Sequence, residues 1–280
     1  MTTTADWTGR VGQTWAAEWQ RTDRSLADLA RHLDAAVLAA APDAPFRAID
    51  IGCGAGSTSL SLATSRPDAQ VVGVDLSPEL LAVAVTRGVA HPNLTFRRGD
   101  ASVAAQELAP IDLFVSRHGV MFFADPAAVF ADLHDVAASD ARLVFSCFRD
   151  RADNPWASDL VEQVTGSRPP IASGYTPGPF AFADPAHTAA ILETAGWSVD
   201  SYARVDFTYV AGAGEDRIDD AVAFFRRIGP LASALKTAAD PAAATARLKA
   251  ALERYSTGSS VAFPASAWIW RARAAKGREA

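Results

Sequence analysis

The amino-acid sequence predicts an α/β fold: a doubly wound, mostly parallel seven-stranded sheet with helices on both faces, an antiparallel final strand and helical cap insertions. Three observations predict it. Five short apolar runs alternate with helical segments, the pattern of a parallel sheet. A glycine-rich turn, Gly52 to Gly56, joins the first run to a helix. A late run in which Trp268 and Trp270 alternate reads as a closing strand.

The elements follow in order. Phe46 to Ile51 is the first buried strand, and Ser57 to Ser65, beyond the glycine turn, has helical composition. Val71 to Asp75 is the second strand; Ser77 and Pro78 then form an N-cap and first-turn pair for a helix from Glu79 to Val89. Leu94 to Arg98 is the third. Ile111 to Ser116 and Arg142 to Phe148 are the fourth and fifth, separated by a helix from Pro126 to about Ala138.

After Asp150 the pattern loosens into a Pro/Gly-rich stretch, Arg168 to Phe182. Asp184 and Pro185 cap a helix that stops at Gly196, and Trp197 to Val210 supplies one or two strands. Glu215 to Tyr255 reads as helical with a break at Gly229 and Pro230, and Ala265 to Ala272 is the last strand. The expected organisation is an N-terminal helical lid segment over residues 1–34 and a core over 35–150, 183–210 and 263–273. Cap or substrate insertions then occupy 151–182 and 211–262.

Composition narrows the function. With 280 residues, 49% hydrophobic, the chain fits one globular domain with a sizeable insertion, or two small domains sharing a core, and can bury that core. Its net charge is −6 and its basic residues are scattered, which argues against nucleic acid as a partner. The two cysteines, Cys53 and Cys147, have no paired or metal-ligand spacing, so neither a disulfide framework nor a metal site is expected. No apolar run reaches the roughly 18 residues of a membrane span, and the N-terminus has no signal pattern, so a soluble cytoplasmic protein is expected.

The stretch Asp50-Ile51-Gly52-Cys53-Gly54-Ala55-Gly56 sits between strand and helix, where glycines allow a tight turn and close approach to a ligand. Its glycines fall as GxGxG, and Ser57 stands where a GxGxxG dinucleotide fingerprint has its third glycine. Asp75 ends the next strand, placed to accept hydrogen bonds from the ribose hydroxyls of an adenosyl group. Gly99-Asp100-Ala101 brings a second carboxylate to the same sheet edge. Taken singly, Asp50 and Asp75 could each merely end a strand or cap a helix.

With these motifs the sequence resembles the Rossmann-like (class I) family of S-adenosylmethionine-dependent methyltransferases. The resemblance is carried by Asp50 to Gly56, Val74-Asp75-Leu76-Ser77, Gly99-Asp100-Ala101 and Ile111-Asp112-Leu113-Phe114-Val115-Ser116. It covers Ala35 to Phe148 well and Phe180 to Val210 more loosely, and is closest to the small-molecule branch that includes the quinone-type methyltransferases. It implies S-adenosylmethionine as cofactor and S-adenosylhomocysteine as product. It further implies that Gly52, Gly54 and Gly56 pack under the methionyl part, with Asp50 near its ammonium. Asp75 and the adjacent Leu76 would hold the ribose side, Asp100 and Ala101 would read adenine, and Ser116 would line the methyl-donor side.

Catalysis by such an enzyme needs mainly alignment, plus a base where the acceptor carries a proton. Arg117 and His118, at the end of the fourth strand, are the catalytic candidates; His118 is the possible base, against the alternative that it packs beside Met121 and Phe122. Arg117 is equally suited to an ion pair. Trp15 and Trp19, four apart on one helical face, suit a lid over the cofactor or simple docking of the N-terminus onto the core, and Trp156, Tyr175, Phe180 and Phe182 suit an apolar acceptor pocket or ordinary loop anchoring.

The expected activity is methyl transfer to a small apolar or aromatic acceptor by in-line displacement. The alternatives are a nicotinamide-dependent oxidoreductase and a non-catalytic S-adenosylmethionine-binding module. The sequence is compatible with a monomer or a homodimer, and a small-molecule acceptor is the expected partner.

Overall fold

A computed structural model of the chain describes residues 4–169 and 174–274. Part of the expected Pro/Gly-rich loop, residues 170–173, lies outside the described residues, as do residues 1–3 of the lid segment.

The chain opens with α1 (Thr4–Trp7), α2 (Arg10–Ala17), α3 (Trp19–Ser25) and α4 (Ala27–Ala40). The α/β core follows: β1 (Arg47–Ile51), α5 (Ser57–Ser65), β2 (Gln70–Asp75), α6 (Pro78–Gly88), β3 (Leu94–Arg98), α7 (Ala101–Leu108), β4 (Ile111–Arg117), α8 (Pro126–Asp135) and β5 (Ala137–Phe148). Beyond it come α9 (Asp159–Thr165), α10 (Pro185–Thr194), β6 (Trp197–Ala213), α11 (Arg217–Phe225), α12 (Pro230–Lys236), α13 (Pro241–Glu253), β7 (Ser256–Thr257) and β8 (Ser260–Ala274).

The sheet order is β3-β2-β1-β4-β5-β8-β6. Strands β1 to β5 run parallel, and β8 is antiparallel to both its neighbours, as the sequence predicts. An eighth strand, β7, is a two-residue piece paired with β8 alone. From β1 the chain winds outward through β2 to β3, then crosses to β4 and winds the other way. Right-handed crossovers therefore put α5 and α6 on one face and α7 and α8 on the other. The reversal falls between β1 and β4, and the crevice at their carboxyl ends is where such a fold receives a ligand.

Local chemistry sets the boundaries. Ser77 accepts a hydrogen bond from the Leu80 amide and Pro78 fills the first turn of α6, while Asp184 with Pro185, and Asp240 with Pro241, do the same for α10 and α13. Central β1 and β4 are buried almost throughout, as strands covered on both faces must be. The boundary expected at residue 34 falls inside α4, whose Leu29, Leu33, Ala36 and Val37 are all buried in the core.

Strand β6 is longer than expected, with 17 residues, and pairs with β8 from Trp197 through Ala213. Its first residue, Trp197, is buried against Phe114 of the core. Its far end carries Phe207 and Tyr209 to the carboxyl edge of the sheet, and α11 packs on it there.

Candidate active site

The Asp50–Gly56 turn leaves β1 with Gly52, Gly54 and Gly56 all at positive φ, between 54° and 83°. Gly52 lies against Gly119 after β4: a Cβ on Gly52 would meet the Gly119 Cα at 3.0 Å, so two glycines back to back bring the β1 and β4 turns together. Gly54 lies open, with no atom within 4 Å of its would-be Cβ, and its amide donates to Asp75 Oδ2 at 2.8 Å. The other carboxylate oxygen of Asp75 accepts from the Ser77 amide at 2.8 Å. Each oxygen keeps lone-pair capacity for a ligand.

Asp50, Gly52, Gly54, Asp75, Leu76, Asp100, Ala101, Arg117 and His118 all line one cavity of about 670 Å³. Two residues singled out with them take other places. Gly56 packs away from it, its would-be Cβ 2.9 Å from the Phe96 ring. Ser116 is fully buried; its hydroxyl donates to the Ile51 carbonyl at 2.7 Å and accepts from the amides of Gly119 and Val120. It braces the β4 turn against β1.

Asp50 is buried, with Oδ2 taking a 2.5 Å bond from Ser59 and Oδ1 left without a partner among the described residues. Burial pushes its carboxyl up to about 7, against the opposing pull of Ser59 and Arg117. Burial also raises the Asp75 carboxyl, with its backbone bonds acting in the opposite sense.

His118 adopts φ 65°, a left-handed conformation uncommon outside glycine. Its amide donates to the Ser146 carbonyl at 3.1 Å, its Nδ1 lies 2.9 Å from Ser146 Oγ, and the Phe148 ring meets it edge-on at 4.2 Å. Nε2 is shielded and has no partner among the described residues. Burial, and secondarily Arg117, push the imidazole down to about 3, so it is neutral at physiological pH. An imidazole at its ordinary value of about 6.5 exchanges protons readily, which is what the role of base expected for His118 requires; desolvation removes that property.

Arg117 turns to the N-terminal helices. Its Nη2 bonds Asp23 of α3 at 2.7 Å and its Nη1 reaches Ser57 at 3.3 Å. The second Asp23 oxygen pairs with Arg87 of α6 at 2.9 Å, and Arg87 also bonds the Ala55 carbonyl in the glycine turn and lies 4.3 Å over the Trp19 ring. Helix α3 is thus tied to the turn by one carboxylate and two guanidinium groups. Trp15 and Trp19 both line the cavity, although a break at Glu18 puts them in separate helices. Trp7 joins them, edge-on to Phe122 at 5.0 Å.

The far wall is aromatic. Trp156 stacks on Tyr209 at 4.9 Å and 7°, with Phe148 beside Trp156 at 5.1 Å and Phe224 beyond Tyr209. Trp156 lines the cavity as the sequence suggests, whereas Tyr175, Phe180 and Phe182 do not. Phe182 is fully buried against Phe130 and Phe145, and Tyr175 donates to the Phe123 carbonyl at 2.7 Å, so these anchor the loop that presents Pro177 and Pro179 to the cavity.

The residues present fit an adenosyl cofactor with a cationic amino-acid tail. Asp75 offers free acceptor capacity at the end of β2, Gly54 leaves the turn open, and Asp50 holds an orphaned oxygen below it.

Comparison with known proteins agrees with that fit. The model of a methyltransferase domain matches residues 48–140. The demethylmenaquinone methyltransferase of Thermus thermophilus is 30% identical over 169 residues, covering 56% of this chain and 76% of that protein. The trans-aconitate 2-methyltransferase of Methylobacterium radiotolerans is 37% identical over 147 residues, covering 48% of this chain and 55% of that protein. The chain thus spans about half the length of the first curated relatives it matches.

Among solved structures, a Haemonchus contortus phosphoethanolamine N-methyltransferase with S-adenosylhomocysteine bound has a TM-score of 0.56 at 17% identity. The alignment covers 99% of this chain and 61% of that one. The [4+2]-cyclase SpnF has a TM-score of 0.54 at 17% identity, covering 89% and 82%, so the fold by itself does not dictate the reaction. Fold, site and relatives together establish that the chain belongs to the class I S-adenosylmethionine-dependent methyltransferase family.

Proposed function

We propose that the protein transfers the methyl group of S-adenosylmethionine to a small, largely apolar or aromatic acceptor. The observation that carries this reading is that the glycine turn and Asp75 open onto the same cavity as the Trp156–Tyr209 wall. A volume of about 670 Å³ is within the range of sites that enclose a small organic ligand. Of the acceptors named for the relatives, demethylmenaquinone bears a ring and trans-aconitate is a carboxylate; the aromatic wall suits the former.

When bound, the cofactor supplies an electrophilic sulfonium methyl group. The remaining work falls to the chain's own residues. Asp75 holds the ribose hydroxyls, Asp50 offers Oδ1 to the methionyl ammonium, and Asp100 with Ala101 flank the adenine. The lid helices exclude water, and the aromatic wall orients the acceptor, so alignment supplies most of the rate. His118, neutral and shielded, contributes a fixed wall beside Phe148 and takes no proton near pH 7. Two buried free thiols suit a reducing compartment, and we place the protein in the cytoplasm; among the described residues no helix is long and apolar enough to cross a membrane.

The test is a parallel calorimetric titration with S-adenosylmethionine, S-adenosylhomocysteine and NAD. Binding of both sulfur compounds without NAD supports the reading; binding of NAD alone moves the protein to the oxidoreductases.

A further inference from the structure

The sheet ends in β6, and the two halves of that edge are finished differently. From Thr208 to Ala213 side chains cover the outer backbone. Asp28 of α4 accepts from the Thr208 amide at 2.9 Å, Arg24 of α3 donates to the Ala211 carbonyl at 2.8 Å, and Asp220 of α11 accepts from the Ala213 amide at 3.1 Å. From Tyr202 to Asp206 no described residue covers it, and Ser201 to Arg204 and Asp206 are exposed.

The direction of the bare backbone follows from β8. Ser266 lies opposite Asp206, yet its amide donates to Asn154 Oδ1 at 3.1 Å and its carbonyl accepts from the Arg149 amide at 3.0 Å, both on the β5 side. Pro264, opposite Thr208, has no amide to give. The ladder is unbroken between Ser201 and Val210, and antiparallel pairs alternate. Tyr202, Arg204 and Asp206 therefore all turn their amides and carbonyls away from β8, a template for one further strand.

The side chains there suit a second copy of this chain. Charges on a strand edge ordinarily keep copies apart, but Arg204 Nε bonds both Asp206 oxygens at 2.9 Å, so the stretch from Tyr202 to Asp206 carries no net charge. Two-fold pairing centred on Ala203 sets Tyr202 opposite the partner's Arg204 on one face and Ala203 opposite itself on the other. Each guanidinium then reaches the open side of a Tyr202 ring that is 46% exposed and stacks on Trp270 at 4.6 Å. Centring on Arg204 would oppose two guanidinium groups. Centring on Tyr202 would oppose Arg204 to Asp200, whose carboxylate is turned to Arg142 and Arg273.

We propose that β6 pairs antiparallel with β6 of a second copy across a two-fold axis at Ala203, joining the two sheets into one. The free stretch is short, so the interface falls below the roughly 1,600 Å² of a standard one, and the dimer dissociates at roughly 10–100 µM. The glycine turn follows β1, with β4, β5 and β8 in between, so the pairing does not depend on the methyltransferase reading.

Sedimentation velocity on the full chain should show the mass rising from one chain toward two between about 2 and 300 µM. Ala203→Cys should form an intermolecular disulfide under mild oxidation, because opposed residues of a non-hydrogen-bonded pair stand about 4.5 Å apart at Cα. Val205→Cys, opposite the partner's Ser201, should cross-link at least about tenfold more slowly. The native Cys53 and Cys147 are buried and add little background. Arg204→Pro deletes one outward amide and leaves the β8 ladder intact; it should weaken the dimer by about tenfold or more, with urea unfolding as the check that the fold is kept. A single-chain mass at the highest concentration overturns the proposal. So does a dimer that folded Arg204→Pro leaves unchanged, or equal cross-linking rates at the two cysteine positions. If Arg204→Pro does not fold, the ratio of cross-linking rates decides.

Discussion

The Asp23 carboxylate accepts a 2.7 Å hydrogen bond from Nη2 of Arg117, a residue 94 positions further along the chain. With the Arg87 pair, this contact fastens α3 across the glycine turn. All three side chains are largely shielded, so the bonds are worth more than surface ion pairs. Asp23→Asn should speed dissociation of S-adenosylhomocysteine by roughly 5- to 30-fold, corresponding to about 1–2 kcal/mol of lost closure. Stopped-flow tryptophan fluorescence reads this directly; an unchanged off-rate would mean the lid does not gate the cofactor.

Asp75 sits at the end of β2 with each oxygen holding one backbone amide. If it also receives the ribose hydroxyls, Asp75→Ala removes charge-assisted bonds of about 1.5–3 kcal/mol each. Calorimetry should then show S-adenosylhomocysteine affinity reduced by roughly tenfold or more. Loss of less than about twofold would reassign Asp75 to the turn alone.

Asp50 should couple cofactor binding to pH. Its carboxyl is raised to about 7 from an ordinary 3.8 by burial. Between those values the folded state keeps a proton that the unfolded state has released. Its contribution to stability is therefore present below about pH 4 and declines as pH rises toward 7, by up to about 1.4 kcal/mol per pH unit. A methionyl ammonium favours the ionised form, so S-adenosylhomocysteine binding near pH 6.5 should release a proton and tighten as pH rises through 7. Titrations in buffers of differing ionisation enthalpy measure that release, and Asp50→Asn should abolish it.

His118 should show no titration near neutrality. With its imidazole pushed down to about 3, its Cε1 proton resonance should stay constant between about pH 5 and 8. A midpoint near 6.5 assigned to His118 would restore it as a proton acceptor.

Gly56→Ala should destabilise the fold by roughly 1–3 kcal/mol in urea unfolding, because φ is +83° and the new methyl would stand 2.9 Å from Phe96 Cζ. Shortening the obstacle with Phe96→Leu should restore part of the loss. If the double variant is no better than the single one, the backbone angle alone sets the cost.

Much of the glycine-turn side of the cavity could be read from the chain because its determinants are local. Asp50 to Gly56 is one turn between two elements, and Asp75 ends the very next strand, so spacing alone puts them at one sheet edge. The same reasoning overlooked α7, eight residues that Asp100 caps through the Ser102 amide, because one short helix carries little periodic signal. It placed Trp15 and Trp19 on one helical face, whereas the break at Glu18 lets two short helices bring them to the cavity separately. Ser116 and Gly56 belong to recognisable motifs, yet face the core, since a motif records position along the chain and not side-chain direction.

What could not be read is the meeting of distant segments. Trp156 and Tyr209 stack from a loop and a strand more than fifty positions apart, and nothing in either neighbourhood announces the other. The neutral state of His118 likewise depends first on burial among Phe148 and the layers around it, with the neighbouring Arg117 charge second.

Strand β6 begins as a core strand at Trp197 and ends beneath the cap at Ala213, where α11 to α13 are spliced in before β8 returns. That single ribbon works as an outrigger: its inner half is bolted into the sheet and its outer half carries a ceiling that is lashed to the other bank. Asp220 of α11 grips Arg21 and Arg24 of α3, whose Asp23 in turn grips Arg117 and Arg87, so a change in the stretch between Ala213 and Ser260 reaches the glycine turn through two linked ion pairs.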